Sequence, residues 1–92
     1  MTNAIVLLNI RNDRINEVAE ELVELDGVSE VYSVAGQYDL VAVVRAHSDS
    51  QLASLVTEKM LRAEGILSSE TLIAFRAYSK HDLDRMFSVG MD

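Results

Sequence analysis

The chain has 92 residues, enough for one domain with a single core, and its 49% hydrophobic and 25% charged residues are typical of a folded protein. It contains no cysteine, which excludes disulfides, zinc–thiolate sites and cysteine nucleophiles. The formal net charge is −7 and no two of the eight basic residues are adjacent, so we expect no direct binding of nucleic acid.

The first predicted element is a strand. Ala4–Ile10 is a short, almost continuous apolar run with many branched side chains, as expected for a strand. The run is too short for a signal peptide or a membrane span and polar residues soon follow it. We therefore expect a cytoplasmic protein with no membrane contact.

A helix is predicted next, because apolar residues recur at i, i+3, i+4, i+7 and i+8. Asn12 and Asp13 precede this pattern and are expected to cap the helix. Asp26-Gly27 is expected to end it. The apolar stripe consists of Ile15, Val18, Ala19, Leu22 and Val23.

Two further strands are predicted as an antiparallel hairpin. Val28–Ala35 alternates loosely, and Leu40–Val44 is continuously apolar. The turn Gly36-Gln37-Tyr38-Asp39 joins them closely.

The second predicted helix begins at a capping box, with Ser48 at the cap and Gln51 three residues later. Gly65 ends this helix, and Ile66–Tyr78 is predicted to be one long strand. His81–Phe87 is predicted as a short helix, followed by a terminal tail. The apolar stripe of the second helix is Leu52, Leu55, Val56 and Met60.

The predicted order β-α-β-β-α-β is that of the ferredoxin-like α+β fold. We expect a four-stranded antiparallel sheet with two helices on one face. Residues 1–80 would form this domain, and residues 81–92 a short C-terminal helix and tail.

The central strands predict self-association. Ile5–Leu8 and Leu40–Val44 are apolar on both faces. In an antiparallel sheet with one solvent-exposed face, apolar and polar residues should alternate along each strand. Two helices cover one face, and the other would expose an apolar patch larger than monomers usually tolerate. Sheet-to-sheet packing against a second copy, as in a dimeric α+β barrel, is the simplest cover. The alternative is that the C-terminal segment folds back over this face.

Few residues indicate chemistry. His47 and His81 lie at the ends of elements and have no metal-ligand partner at a suitable spacing. Asp82 and Asp84 after His81 fit the first turn of a helix as well as a weak metal site. A phosphate loop, a nucleophile elbow and a pair of catalytic carboxylates are all absent from the sequence. We expect no enzymatic activity, metal or cofactor.

The hairpin turn is the most distinctive segment. Gly36 permits a positive φ, with which backbone N–H groups can face an anion, and the Asp39 carboxylate can accept an ammonium. An amino acid carries both charges. The residues alone nevertheless favour a plain hairpin turn with Asp39 bonded to its own backbone.

At this point the sequence resembles a known family. Gly36-x-Tyr38-Asp39 resembles the Gly-x-(Tyr/Phe)-Asp turn of the Lrp/AsnC regulators, and Gly65-Ile66-x-x-Ser69-x-Thr71 resembles their Gly-Val-x-x-Thr-x-Thr segment at the start of the last strand. The resemblance covers the C-terminal half of a typical member. It implies a RAM domain, the module that binds effectors and forms oligomers, in a stand-alone form lacking the helix-turn-helix.

The resemblance also implies partners and a site. Family members form dimers through their sheets, and these associate further into octamers, with small amino-acid effectors bound between dimers. By matching position, the ligand-binding residues would be Gly36, Gln37, Tyr38, Asp39, Ser69 and Thr71. The strand order separates the turn from the last strand, so we expect these residues to converge across a subunit interface. Ala35 replaces a frequent Ser or Thr, and Ser69 replaces the usual Thr.

The expected function is therefore a stand-alone module that binds a small amino acid and forms homo-oligomers, and that could join rings of full-length Lrp/AsnC regulators. One alternative is a small dimeric α+β-barrel enzyme of the monooxygenase or haem-handling type. Such an enzyme needs a cavity between sheet and helices with a histidine or polar cluster. A second alternative is an ACT-like regulatory domain, which the motif spacing fits less well.

Overall fold

The structure, a computed structural model, describes residues 1–78 and 80. The predicted helix His81–Phe87, the tail after it and the domain limit at residue 80 lie outside or at the edge of the described residues.

The order of elements follows the prediction. The first three strands are β1 (Thr2–Ile10), β2 (Val28–Ser33) and β3 (Leu40–Ala46), and helix α1 (Ile15–Val23) lies between β1 and β2. Helix α2 (Asp49–Ser54) continues into a π-helical segment (Leu55–Lys59) and a 3-10 turn (Met60–Arg62), which lead to β4 (Ile66–Ala74).

The four strands form one antiparallel sheet in the order β2-β3-β1-β4. Both helical segments pack on the same face, where their apolar side chains share one core with alternate residues of β1 and β3. This arrangement confirms the ferredoxin-like α+β prediction. The helical residues of the core are Val18, Leu22, Leu52, Leu55, Val56 and Met60.

Burial alternates along the central strands, which defines two faces of the sheet. On the helix face, Ala4, Val6, Leu8, Ile10, Leu40, Ala42, Val44 and Ala46 are buried. We call the other side the open face; its apolar members are Ile5, Leu7, Tyr32, Val41, Val43 and Leu72, all of them only partly buried or exposed.

The first helix does not begin as predicted. Asn12–Arg14 forms a 3-10 turn, closed by a bond from Arg14 N to Arg11 O of 2.9 Å, so that α1 starts at Ile15 without a side-chain cap. The prediction that Asn12 and Asp13 cap α1 is therefore wrong. Asp13 instead accepts a bond from Arg11 Nε at 2.6 Å. Val23 was expected on the buried stripe but is 46% exposed.

Ser48 caps the second helix as predicted, but the return bond of Gln51 goes to the residue before the cap rather than to Ser48 N. Ser48 Oγ accepts a bond from Gln51 N at 3.1 Å, while Gln51 Oε1 accepts one from His47 N. The last strand is shorter than predicted and ends at Ala74 rather than Tyr78. The reason is the register: Ala74 pairs with Asn3, and only Thr2 of β1 remains beyond that pair.

The interior of the domain is apolar. Among residues 1–78 and 80, no polar or charged residue is buried. No helix in this part of the chain is long and apolar enough to cross a bilayer.

Candidate functional site

The hairpin turn between β2 and β3 is held firmly at one end of the sheet. Val34 N donates to Asp39 O at 3.0 Å, and Asp39 N donates to Leu8 O of β1 at 2.9 Å. Gly36 has φ +126°, and a Cβ at this position would meet no heavy atom within 4 Å. Gly36 and Gln37 are exposed. The turn therefore combines a fixed base with an accessible tip.

The Asp39 carboxylate strengthens this base. Its Oδ2 atom accepts a hydrogen bond from Ile10 N at 2.8 Å, which satisfies a backbone donor at the end of β1. Asp39 thus accepts a bond from the backbone of β1. The sequence alone favoured a bond within its own turn instead. Since a carboxylate can accept at both oxygens, Oδ1 can still receive a further donor.

Tyr38 connects the turn to the last strand. Its hydroxyl donates to Glu70 Oε2 of β4 at 2.6 Å, and this hydrogen bond is the main cause that raises the pKa of Tyr38 above its ordinary value. The expectation that turn and last strand meet only across a subunit interface is therefore wrong for Tyr38. Its side chain reaches β4 within one chain.

Ser69 and Thr71 lie elsewhere. They pair in register with Leu8 and Val6, which are buried on the helix face, whereas Glu70 pairs with Leu7 of the open face. Residues directly opposite each other in a sheet share a face. The two hydroxyl residues are exposed at the edge of the sheet, and within one chain they are on the opposite face from the Tyr38–Glu70 contact.

The open face lies beside the turn. Ile5 is 39% exposed, Leu72 46% and Tyr32 48%. Two tyrosine–glutamate hydrogen bonds border its apolar centre: the Tyr38–Glu70 bond, and a bond from the Tyr32 hydroxyl to the Glu30 carboxylate.

A separate cavity of about 410 Å³ lies at the other end of the sheet. Its wall includes Arg45 near the end of β3, His47 just after that strand and Lys59 of the π segment. Among the described residues, Asp26 is the one carboxylate residue that lines it. Sequence reasoning missed this grouping, because the basic residues are up to 14 positions apart in the chain. The signal that could have found it is the short connection between β3 and α2, which places the end of the strand beside the start of the helix.

Among residues 1–78 and 80, no group of three or more His, Cys, Asp or Glu side chains could hold a metal ion. In the same part of the chain, the space between sheet and helices is filled by apolar side chains.

Comparison with known proteins places this arrangement in a family. The model of the Lrp/AsnC ligand binding domain matches residues 3–83. The crystal structure of TTHA0845 from Thermus thermophilus has a TM-score of 0.81 and 46% identity, and the match covers 87% of this chain and all of that one. Escherichia coli AsnC, at 23% identity and a TM-score of 0.79 over 85% of this chain and 53% of its own, supports the fold.

A curated relative points the same way. The uncharacterized HTH-type transcriptional regulator YugG of Bacillus subtilis (strain 168) is 35% identical over 77 residues, or 84% of this chain and 45% of YugG. The chain thus spans less than half the length of this relative. These matches confirm the resemblance found in the sequence, and the chain belongs to the Lrp/AsnC family as a ligand-binding domain.

Proposed function

We propose that this chain is a stand-alone cytoplasmic sensing module that binds a small amino acid at the interface between copies of itself. It performs no catalysis and contacts no nucleic acid directly. It acts on transcription through association with full-length regulators of its family. The match to the complete TTHA0845 chain supports a stand-alone form.

The observation that carries the proposal is the hairpin turn with its fixed base and exposed tip. Within the described residues, the N–H groups of Gly36 and Gln37 donate no hydrogen bond, so both are available to the carboxylate of an amino acid. Asp39 Oδ1 is available to its ammonium. Because three hydrogen bonds already fix Val34, Asp39 and Ile10, little conformational entropy is lost when the ligand binds.

The interface completes the site. The open face supports a sheet-to-sheet dimer, because its apolar residues remain partly exposed in one copy. Ser69 and Thr71 are exposed on the helix side of the edge strand β4. Their hydroxyls would therefore contact an effector bound to the turn of a different copy, in an assembly larger than the dimer such as an octamer of four dimers.

The enzyme alternative has less support. A barrel enzyme that holds haem or oxidises a substrate needs an internal cavity between sheet and helices. Val6, Leu8, Leu22 and Met60 fill that space and are completely buried. The cavity that contains His47 lies at the end of the sheet.

Calorimetric titration with a panel of amino acids tests the proposal. The structure makes Asp39→Asn the sharpest variant, because an asparagine oxygen can still accept from Ile10 N while the negative charge is lost. Loss of a charge-assisted hydrogen bond should weaken amino-acid binding about ten- to a hundredfold. Asp39→Asn should leave the turn in place, whereas Asp39→Ala removes both the charge and the bond to Ile10.

Three outcomes separate the alternatives. Weakening in both variants, with the dimer intact, supports ammonium recognition by Asp39. Weakening only in Asp39→Ala would assign to Asp39 a purely structural role. If no amino acid binds the unsubstituted protein at millimolar concentration, the amino-acid proposal is wrong and the chain is an oligomerisation module.

A further inference from the structure

The cavity beside α2 is lined mainly by polar and cationic groups, in contrast to the rest of this acidic protein. Its wall includes His47 and Lys59, with Ser50, Gln51 and Ser54 between them on the helical segment. Its volume of about 410 Å³ is in the range of sites for small molecules. A cavity that brings a lysine, a histidine and several hydroxyl and amide groups together in a chain of net charge −7 indicates an anionic ligand.

Within the described part of the chain, the cationic groups of the cavity form no ion pair. The ion pairs among residues 1–78 and 80 are Arg11–Asp13 and Arg14–Glu21, and neither involves a residue of the cavity. Among the described residues, Asp26 is the single carboxylate residue in the wall, and Lys59 and His47 line the same cavity. An anion that entered the cavity would therefore meet a Lys59 ammonium that no ion pair within the described residues neutralises.

The backbone around the cavity is fixed before any ligand binds. Gln51 Oε1 accepts a bond from His47 N at 3.1 Å, which holds the end of β3 to the start of α2. Arg45 N donates to Gly27 O at 2.7 Å. Gly27 has φ +97°, and a Cβ there would lie 2.8 Å from Leu55 Cδ2, so only glycine allows the loop before β2 to pack this closely.

This cavity is distinct from the hairpin turn. In the register of β1 and β3, Thr2 pairs with Ala46 at the end that carries the cavity, and Leu8 pairs with Leu40 at the end that carries the turn. Six residue steps separate the two ends, or about 20 Å along the strands.

We propose that this cavity is a second binding site, which takes a small phosphate ester. The Lys59 ammonium and the His47 imidazole supply the charged and ring donors, and the hydroxyls of Ser50 and Ser54 add neutral donors. Phosphate fits this set better than a carboxylate, because it carries up to two charges and three oxygens that accept hydrogen bonds from several directions. The remaining volume accommodates the esterified part of a small metabolite.

Titration of the ¹⁵N-labelled protein with inorganic phosphate, at constant ionic strength, tests the site. The amide signals of Gly27, His47 and Gln51 should shift and saturate. Lys59→Gln and His47→Gln should each weaken binding about tenfold. Asp26→Asn should strengthen it, because it removes the carboxylate from the wall.

Arg62→Gln is the matched control. Arg62 is exposed and follows Lys59 by three residues, but it does not line the cavity. The substitution changes the net charge as Lys59→Gln does, and it should leave phosphate binding unchanged. A second titration with acetate tests the ligand class, and it should show much weaker binding.

Several results would overturn the proposal. These are the absence of saturable shifts at the cavity, equal weakening by Arg62→Gln and Lys59→Gln, and equal affinity for acetate and phosphate. The result is independent of the amino-acid titration, because the two ligands are expected at opposite ends of the sheet.

Discussion

The two faces of the central strands are built from the same kinds of residues but have different surroundings in a single copy. Leu8 on the helix face is completely buried, whereas its neighbour Leu7 on the open face is only partly buried and Ile5 is 39% exposed. Both faces of β1 nevertheless carry Ile, Leu or Val. The comparison supports the proposal that a second copy covers the open face, because within the described residues one copy buries only the helix side of these strands.

The largest expected effect is on the free energy of unfolding, when the same leucine-to-alanine change is made on each face of β1. Leu8→Ala should lower the free energy of unfolding by about 3–5 kcal/mol, because it leaves a cavity in a packed core. Leu7→Ala should cost less in the separate protomer, since its side chain is partly exposed there. Urea unfolding monitored by circular dichroism measures both values.

The concentration dependence of unfolding sharpens this comparison. If a second copy covers the open face, the cost of Leu7→Ala should grow at protein concentrations where the dimer forms. The cost of Leu8→Ala should remain nearly constant. Equal costs that do not depend on concentration would contradict a dimer through this face.

An intermediate effect is expected when charge is placed on the open face. Leu7→Glu and Val43→Glu should raise the dissociation constant of the dimer at least about a hundredfold, because each buries an unpaired carboxylate in the interface. Asn16→Glu on α1 adds the same charge at an exposed position and should have little effect. Sedimentation velocity over a range of concentrations measures association, and a stable monomer before substitution would refute the prediction.

The fold could be predicted because periodicity reports burial directly. The continuous apolar runs of β1 and β3, and the stripe of Ile15, Val18 and Leu22, define the elements and their order. Ser48 and Gln51 also located the start of α2, because a capping box depends only on local geometry. The start of α1 was missed because the 3-10 turn at Asn12–Arg14 leaves no comparable pattern in the sequence.

The candidate site was less accessible to sequence reasoning. The turn Gly36–Asp39 could be located, but not the bond from Ile10 N to Asp39, since it joins residues 29 positions apart. The side on which Ser69, Glu70 and Thr71 project depends on the register of β4 with β1, and a shift of one residue would exchange the two faces. The cavity near Lys59 depends on tertiary packing in the same way.

The smallest effect concerns the hydrogen bond between Tyr38 and Glu70 at the border of the open face. The bond to the carboxylate raises the pKa of Tyr38 above its ordinary value of about 10. Because the pKa is higher in the folded state, the bond contributes stability below pH about 10 that is lost as the pH rises through the folded-state pKa.

An absorbance titration of tyrosinate tests this bond. The difference between the titration curves of the unsubstituted protein and Tyr38→Phe isolates Tyr38, and the midpoint of that difference curve should lie above pH 10. Glu70→Gln should lower that midpoint, whereas Glu30→Gln, which breaks the Tyr32 bond on the same face, should leave it nearly unchanged. If Glu70→Gln leaves the midpoint unchanged, the turn and β4 are not joined through Tyr38 in solution.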